Sequence, residues 1–173
     1  KGSLYSKNWE INYQTHVNEA MSHFNETLKI NPYFASAYVN RSSVYLSLGD
    51  RDRAIRDLGN AIDADPYRAE TYATRGSLYY TKNEKKDELE YVIQDLNRAI
   101  QLQPYPKVYC LRAWTWLRLE EWEKAKSDFA AMQSLNYDFI RMFYAKYKSV
   151  EDFEQRYDIQ LPGDLKTILT RSS

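Results

Sequence analysis

The stretch that decides the fold is Tyr38-Val39-Asn40-Arg41-Ser42-Ser43-Val44-Tyr45, followed nine residues on by Ala54-Ile55-Arg56-Asp57-Leu58-Gly59-Asn60-Ala61 and closed by Asp65-Pro66-Tyr67. Its apolar residues recur three, four and seven apart, the spacing of one face of a helix. Proline has no backbone N–H, so Pro66 ends the second helix. The same wording returns on both sides. Ile30-Asn31-Pro32-Tyr33 and Leu102-Gln103-Pro104-Tyr105 repeat the closing phrase, and Tyr72-x6-Tyr79 and Tyr109-x6-Trp116 repeat the opening one. Ala20-x3-Phe24, Val92-x3-Leu96-x2-Ala99 and Ala125-x3-Phe129-x2-Met132 repeat the middle. The chain is therefore a series of helix–turn–helix units.

Composition agrees. The 173 residues include only 5 Gly and 5 Pro, with 43% apolar and 28% charged residues, a profile that favours helix. The 16 tyrosines need positions that are half buried and half wet. Charges balance at 24 Lys+Arg against 24 Asp+Glu, which argues against a nucleic-acid partner. No apolar run approaches the roughly 18 residues that cross a bilayer. The opening Lys1-Gly2-Ser3-Leu4 does not read as a secretory leader. One cysteine, Cys110, allows no internal disulfide and no Cys-based zinc site, and points to a cytoplasmic protein. His16 and His23 lie seven apart and read as a polar helix face, not as metal ligands. No phosphate-cradling glycine motif or catalytic constellation occurs. The reading is of a non-enzymatic chain without metal or cofactor.

On these words the chain resembles the tetratricopeptide repeat (TPR) family, whose period is 34 residues. Residues 33–66 fit without a gap through Tyr38, Ser42, Tyr45, Ala54, Leu58, Ala61 and Pro66. Residues 67–104 fit with four extra residues, and 105–137 fit with Tyr137 in place of the closing Pro. Residues 1–32 form a truncated first unit, because Lys1-Gly2-Ser3-Leu4-Tyr5 aligns with Arg75-Gly76-Ser77-Leu78-Tyr79. By this alignment the chain begins partway through a helix and Gly2-Ser3 is native sequence. The first and third units carry insertions, Asn8 to Glu19 and Lys82 to Tyr91, that lack Gly and Pro and predict longer helices with a displaced turn. A raised rim for a partner is the other reading. The expected fold class is all-α, a helical-hairpin repeat superhelix with residues 138–173 as a C-terminal helical cap.

Within that cap Phe139, Met142, Phe143 and Tyr147 are spaced as one apolar face, and Ser149-Val150-Glu151-Asp152 reads as a helix start. Asp152-Phe153-Glu154 through Leu161-Pro162 to Lys166 is also similar to the opening of SUKH-superfamily domains. Arg41, Arg75 and Arg112 hold equivalent places in first helices, and Asp57, Asp95 and Asp128 in second helices, which predicts structural ion pairs.

The resemblance implies a protein or peptide partner bound in a concave groove lined by first helices. Its register assigns Val39, Asn40, Ser43, Leu46 and Ser47 to the groove, then Ala73, Thr74, Ser77, Tyr80 and Thr81. Cys110, Leu111, Trp114, Leu117 and Arg118 follow in the fourth unit, with Ser3, Ser6 and Lys7 in the first. Hydroxyls suit a peptide backbone. Trp114 is either an exposed anchor or a residue buried under the tail. The family's carboxylate clamp for acidic chaperone C-termini keeps its middle Asn as Asn40, but Ser3, Glu70 and Thr74 occupy other clamp places. An acidic chaperone tail is therefore disfavoured, and an uncharged or mildly basic peptide with an apolar anchor is expected. The alternatives are a structural or homo-oligomerisation module with the groove filled by the tail or another copy, and a regulatory part of a larger enzyme.

Overall fold

A computed structural model describes the backbone of residues 2–82 and 88–170, with side chains from 12 to 81 and from 88 to 170. Every described element is helical. The order is α1 (Gly2–Ile30), α2 (Ala35–Ser47), α3 (Arg51–Ala64), α4 (Ala69–Lys82), α5 (Leu89–Leu102), α6 (Pro106–Arg118), α7 (Trp122–Ser134), α8 (Phe139–Lys146), α9 (Val150–Tyr157) and α10 (Gly163–Thr170). The fold class is the expected all-α helical-hairpin repeat. Breaks fall at Pro32, Pro66 and Pro104, as the missing N–H of proline requires. No described helix is long and apolar enough to cross a membrane. The chain divides into two compact units, Lys1–Leu78 and Tyr79–Ser173.

The first unit contains the repeat that fits without a gap. Helix α2 ends at Gly49, whose φ of +77° is a conformation glycine adopts without steric cost. Asp50 then caps α3 by accepting from the Arg53 N–H at 3.0 Å. Ala54, Leu58 and Ala61, four and three apart, have no more than 1% of their surface exposed and form the seam of α3. The truncated first repeat, residues 1–32, departs from expectation. Residues 2–30 form one continuous 29-residue helix, α1, where a hairpin with a displaced turn was expected. The segment Asn8 to Glu19 has no Gly or Pro to end a helix. The inserted segment expected in the third repeat, Lys82 to Tyr91, includes residues 83–87, which lie outside the described residues.

The second unit repeats the plan. Glu120 occupies the place of Gly49 with φ +58°, and α7 carries Ala125, Phe129 and Met132 on its buried seam. The tail adds three short helices. Ser149 caps α9 by accepting from the Asp152 N–H, and Asp138 caps α8 by accepting from the Arg141 N–H. Glu154 accepts from the Leu161 N–H at 2.6 Å and pairs with Lys166 at 2.9 Å, tying α9 to α10. Lys126 of α7 reaches Asp164 of α10 at 2.6 Å. Phe139, Phe143 and Tyr147 turn inward as expected, whereas Met142 lies on the solvent side of α8.

Candidate functional site

The two repeats share one internal framework. In the first unit Arg41 donates to both Asp57 oxygens, each at 2.7 Å, and to Asn25 Oδ1 at 2.7 Å. In the second, Arg112 donates to both Asp128 oxygens at 2.9 and 2.6 Å and to Asn97 Oδ1 at 2.7 Å. A planar guanidinium fits this bidentate geometry. Asp57 and Asp128 are almost fully buried. The hydrogen bond from Arg41 to Asp57 holds the guanidinium above its ordinary range. Burial lifts the Asp128 carboxyl, and Arg112 opposes that shift only in part. These are structural pairs, as the recurring Arg and Asp predict. Arg75 belongs to the first unit and Asp95 to the second.

The predicted first-helix positions separate into two groups. In the first unit Asn40, Ser43, Ser47 and Thr74 are exposed, and Ser77 is half-buried. The Ser43 hydroxyl donates to the Val39 carbonyl and the Ser47 hydroxyl to the Val44 carbonyl. Their protons are committed to the helix, which leaves their oxygens as acceptors facing solvent. The side chains of Ser3, Ser6 and Lys7 lie outside the described residues.

In the second unit Thr81 is exposed but Tyr80, Trp114, Leu117 and Arg118 are buried, with 3%, 4%, 0% and 5% of their surface exposed. Of the two readings of Trp114, exposed anchor or residue buried under the tail, its burial fits the second, and Leu117 is closed to a ligand with it. The tail is the cause. Trp114 packs between Phe129 at 5.5 Å and Phe143 at 5.3 Å, and Phe143 continues to Phe153 at 5.7 Å. Burial raises the neighbouring Cys110 thiol to about 12, so it is inert at neutral pH.

Sequence reasoning missed Lys146, Arg156 and Tyr157, which join the expected Tyr80 and Arg118 at the edge of this cluster. A cleft of about 620 Å³ is lined by Tyr80, Arg118, Lys146, Arg156 and Tyr157, among others. Arg118 is sandwiched, its Cζ 4.9 Å from the Tyr80 ring centroid and 4.4 Å from that of Tyr157. Lys146 Nζ sits 4.1 Å from the Tyr80 centroid. The hydroxyls of Tyr80, Tyr147 and Tyr157 form a chain at 3.0 and 3.1 Å. Desolvation raises both Tyr80 and Tyr147 well beyond the ordinary phenol range, so both are neutral at physiological pH. Lys146 is exposed as a residue, but its ammonium end lies against the Tyr80 ring and is lowered to about 8, first by local desolvation and then by Arg118.

Residues 35–68 match the family model for the tetratricopeptide repeat. The chain carries a TPR. Its fold is also that of solved TPR proteins. A crystal structure of MamA superposes with a TM-score of 0.67 at 21% identity, covering 92% of this chain and 86% of that one. A TPR protein from Parabacteroides merdae gives a TM-score of 0.59 at 13% identity, over 91% and 78%. TTC0263, a TPR protein of Thermus thermophilus, gives 0.52 at 18% identity, over 84% and 73%. No curated protein sequence matches the chain. The matched TPR is the repeat whose first-helix positions Asn40, Ser43 and Ser47 are exposed.

Proposed function

We propose that the chain is a non-enzymatic protein–protein interaction scaffold that binds a peptide segment of a partner along α2, through Asn40, Ser43 and Ser47. The observation that carries this reading is the exposed polar row itself. Asn40, Ser43 and Ser47, three and four apart, line one side of a helix whose Ala35, Ala37 and Ser42 are buried. Asn40 is exposed, and its amide has no side-chain hydrogen-bond partner among the described residues. An amide and two hydroxyl oxygens suit the N–H and C=O groups of an extended peptide. Thr74 extends the polar set at the corresponding place in the next repeat.

The partner in this reading is uncharged or mildly basic. The exposed Glu70 stands where the family's clamp carries Lys, and a carboxylate there disfavours an acidic chaperone tail. Trp114 and Leu117, being buried, are not part of the proposed surface. We place the scaffold in the cytoplasm, on its single buried and unpaired cysteine.

The test is isothermal titration with extended peptides that are basic, neutral or acidic. Neutral and basic peptides are expected to bind, and Asn40→Ala combined with Ser43→Ala to weaken them about tenfold, roughly 1.4 kcal/mol. Binding that ignores both substitutions would remove α2 from the reading. A second reading, a structural module closed by its own tail, is favoured for the second unit by the burial of Trp114 and Leu117.

A further inference from the structure

The cleft of the second unit has a chemistry that neither the repeat framework nor the α2 face uses. Three cationic side chains, Arg118, Lys146 and Arg156, come from α6, α8 and α9 to one cleft of about 620 Å³. That size is typical of small-molecule sites. Its other walls are the rings of Tyr80 and Tyr157 and the apolar side chains of Leu89 and Ile159. Gathering like charges costs free energy unless an opposite charge joins them.

The carboxylates at hand do little to offset this at Lys146. Glu120 and Asp158 line the cleft, each at a turn with positive φ, and the charges that act most on Lys146 are those of Arg118 and Arg156 with Cys110. Asp152 Oδ2 accepts from the Lys148 N–H at 3.0 Å and stands 3.8 Å from the Arg156 guanidinium. Lys146 Nζ lies instead over two tyrosine rings, at 4.1 and 5.5 Å, and Arg156 over the Tyr147 ring at 5.4 Å. The cation–π contacts steady these groups without neutralising them. An exposed lysine whose ammonium is lowered to about 8 by local desolvation and by Arg118 and Arg156 gains from an anion placed beside it.

We propose that this cleft binds a small organic oxyanion, a carboxylate or phosphate group held by Lys146 and Arg156 with its carbon skeleton against Tyr80, Tyr157 and Ile159. Lys146 supplies a point charge and Arg156 a fork that matches two oxygens. The site shares no residue with the Asn40, Ser43 and Ser47 row and does not depend on the peptide reading.

Binding is measured by calorimetry on the full chain, with inorganic phosphate and with succinate as separate probes, at constant ionic strength set by chloride. At pH 8 the experiment is run in two buffers of different ionisation enthalpy. Cys110, Tyr80 and Tyr147 stay protonated there, and succinate is fully ionised, so proton uptake on succinate binding reports Lys146, while phosphate, which itself exchanges protons near this pH, is read for affinity alone. The expected result is saturable binding with net proton uptake. Lys146→Met should weaken it about tenfold and abolish the uptake, and Arg156→Gln should weaken it with uptake retained. Binding of phosphate alone assigns a phosphate-bearing ligand, and binding of both assigns a general oxyanion. Absence of binding by either probe in the folded wild type overturns the proposal. So does undiminished affinity in Lys146→Met and Arg156→Gln, both checked for native near-ultraviolet circular dichroism.

Discussion

The repeat of α2 and α3 and the repeat of α6 and α7 have the same skeleton and opposite surfaces. Arg41 with Asp57 and Arg112 with Asp128 match in chemistry, down to the added asparagine acceptor at 2.7 Å in each. The turns match in position, at Gly49 and Glu120. The faces differ at equivalent places. Ser43 corresponds to Trp114, Leu46 to Leu117 and Ser47 to Arg118. The first three are exposed or half-buried, and the second three are buried. Side-chain chemistry on one helix face therefore decides whether a repeat stays open or is closed by chain of its own. Trp114 and Leu117 offer apolar area that α8 and α9 cover, whereas serines that satisfy their protons within α2 gain nothing from being covered.

The comparison can be broken at several points. The largest effect is expected at the closed face. Trp114→Ala should cost about 3–5 kcal/mol of stability, as for a large aromatic removed from a packed cluster. Ser43→Ala, its equivalent, should change stability by less than about 0.5 kcal/mol. Denaturant unfolding of both variants measures the contrast, and similar losses would mean that the two faces are used alike. Next come the buried pairs. Arg41→Met and Arg112→Met each strand a buried carboxylate and should each cost about 3 kcal/mol. Two unequal losses would show that the shared geometry hides different energetics.

A smaller effect separates the turns. Glu120 holds a left-handed conformation that Gly49 holds without a Cβ, so Glu120→Gly should stabilise by about 1 kcal/mol. Gly49→Glu should destabilise by a similar amount, and thermal melts check both. The finest effect is a pH dependence confined to the second unit. The folded state lowers Lys146 to about 8, so between that pH and the ordinary lysine value the unfolded chain holds the extra proton. Stability from this group therefore rises as pH increases through that window. Lys146→Met should melt higher than wild type at pH 7, and the difference should shrink steadily towards pH 10. A constant difference would mean that Lys146 is not desolvated.

Much of this was legible in the sequence because repetition multiplies weak signals. One Ala-x3-Leu word is ambiguous, but four in register with three Pro-Tyr stops define helices and breaks. The recurring Arg41, Arg75 and Arg112 with Asp57, Asp95 and Asp128 predicted ion pairs, and the pairs of Arg41 with Asp57 and of Arg112 with Asp128 form. What stayed hidden was non-periodic. The continuity of α1 was masked because the family pattern implies a turn where the local residues supply none. The burial of Trp114 depends on Phe143 and Phe153, which lie outside any repeat, so the sequence left anchor and core as equal readings. Lys146 and Arg156 meet Arg118 only through the packing of tail helices, and no spacing in the chain announces that meeting.

The most direct test uses thiol labelling. Cys110 is the single cysteine and sits beside Trp114 beneath the tail, with 5% of its surface exposed. A Ser43→Cys variant places a second thiol on the open face of the same molecule. Labelling with a chromogenic disulfide at pH 8, followed site by site, compares the faces in one sample. The introduced thiol should react at least about a hundredfold faster than Cys110, from exposure and from its larger thiolate fraction together. Comparable rates at the two sites, in folded protein, would contradict the claim that one repeat face is open and its counterpart sealed by the tail.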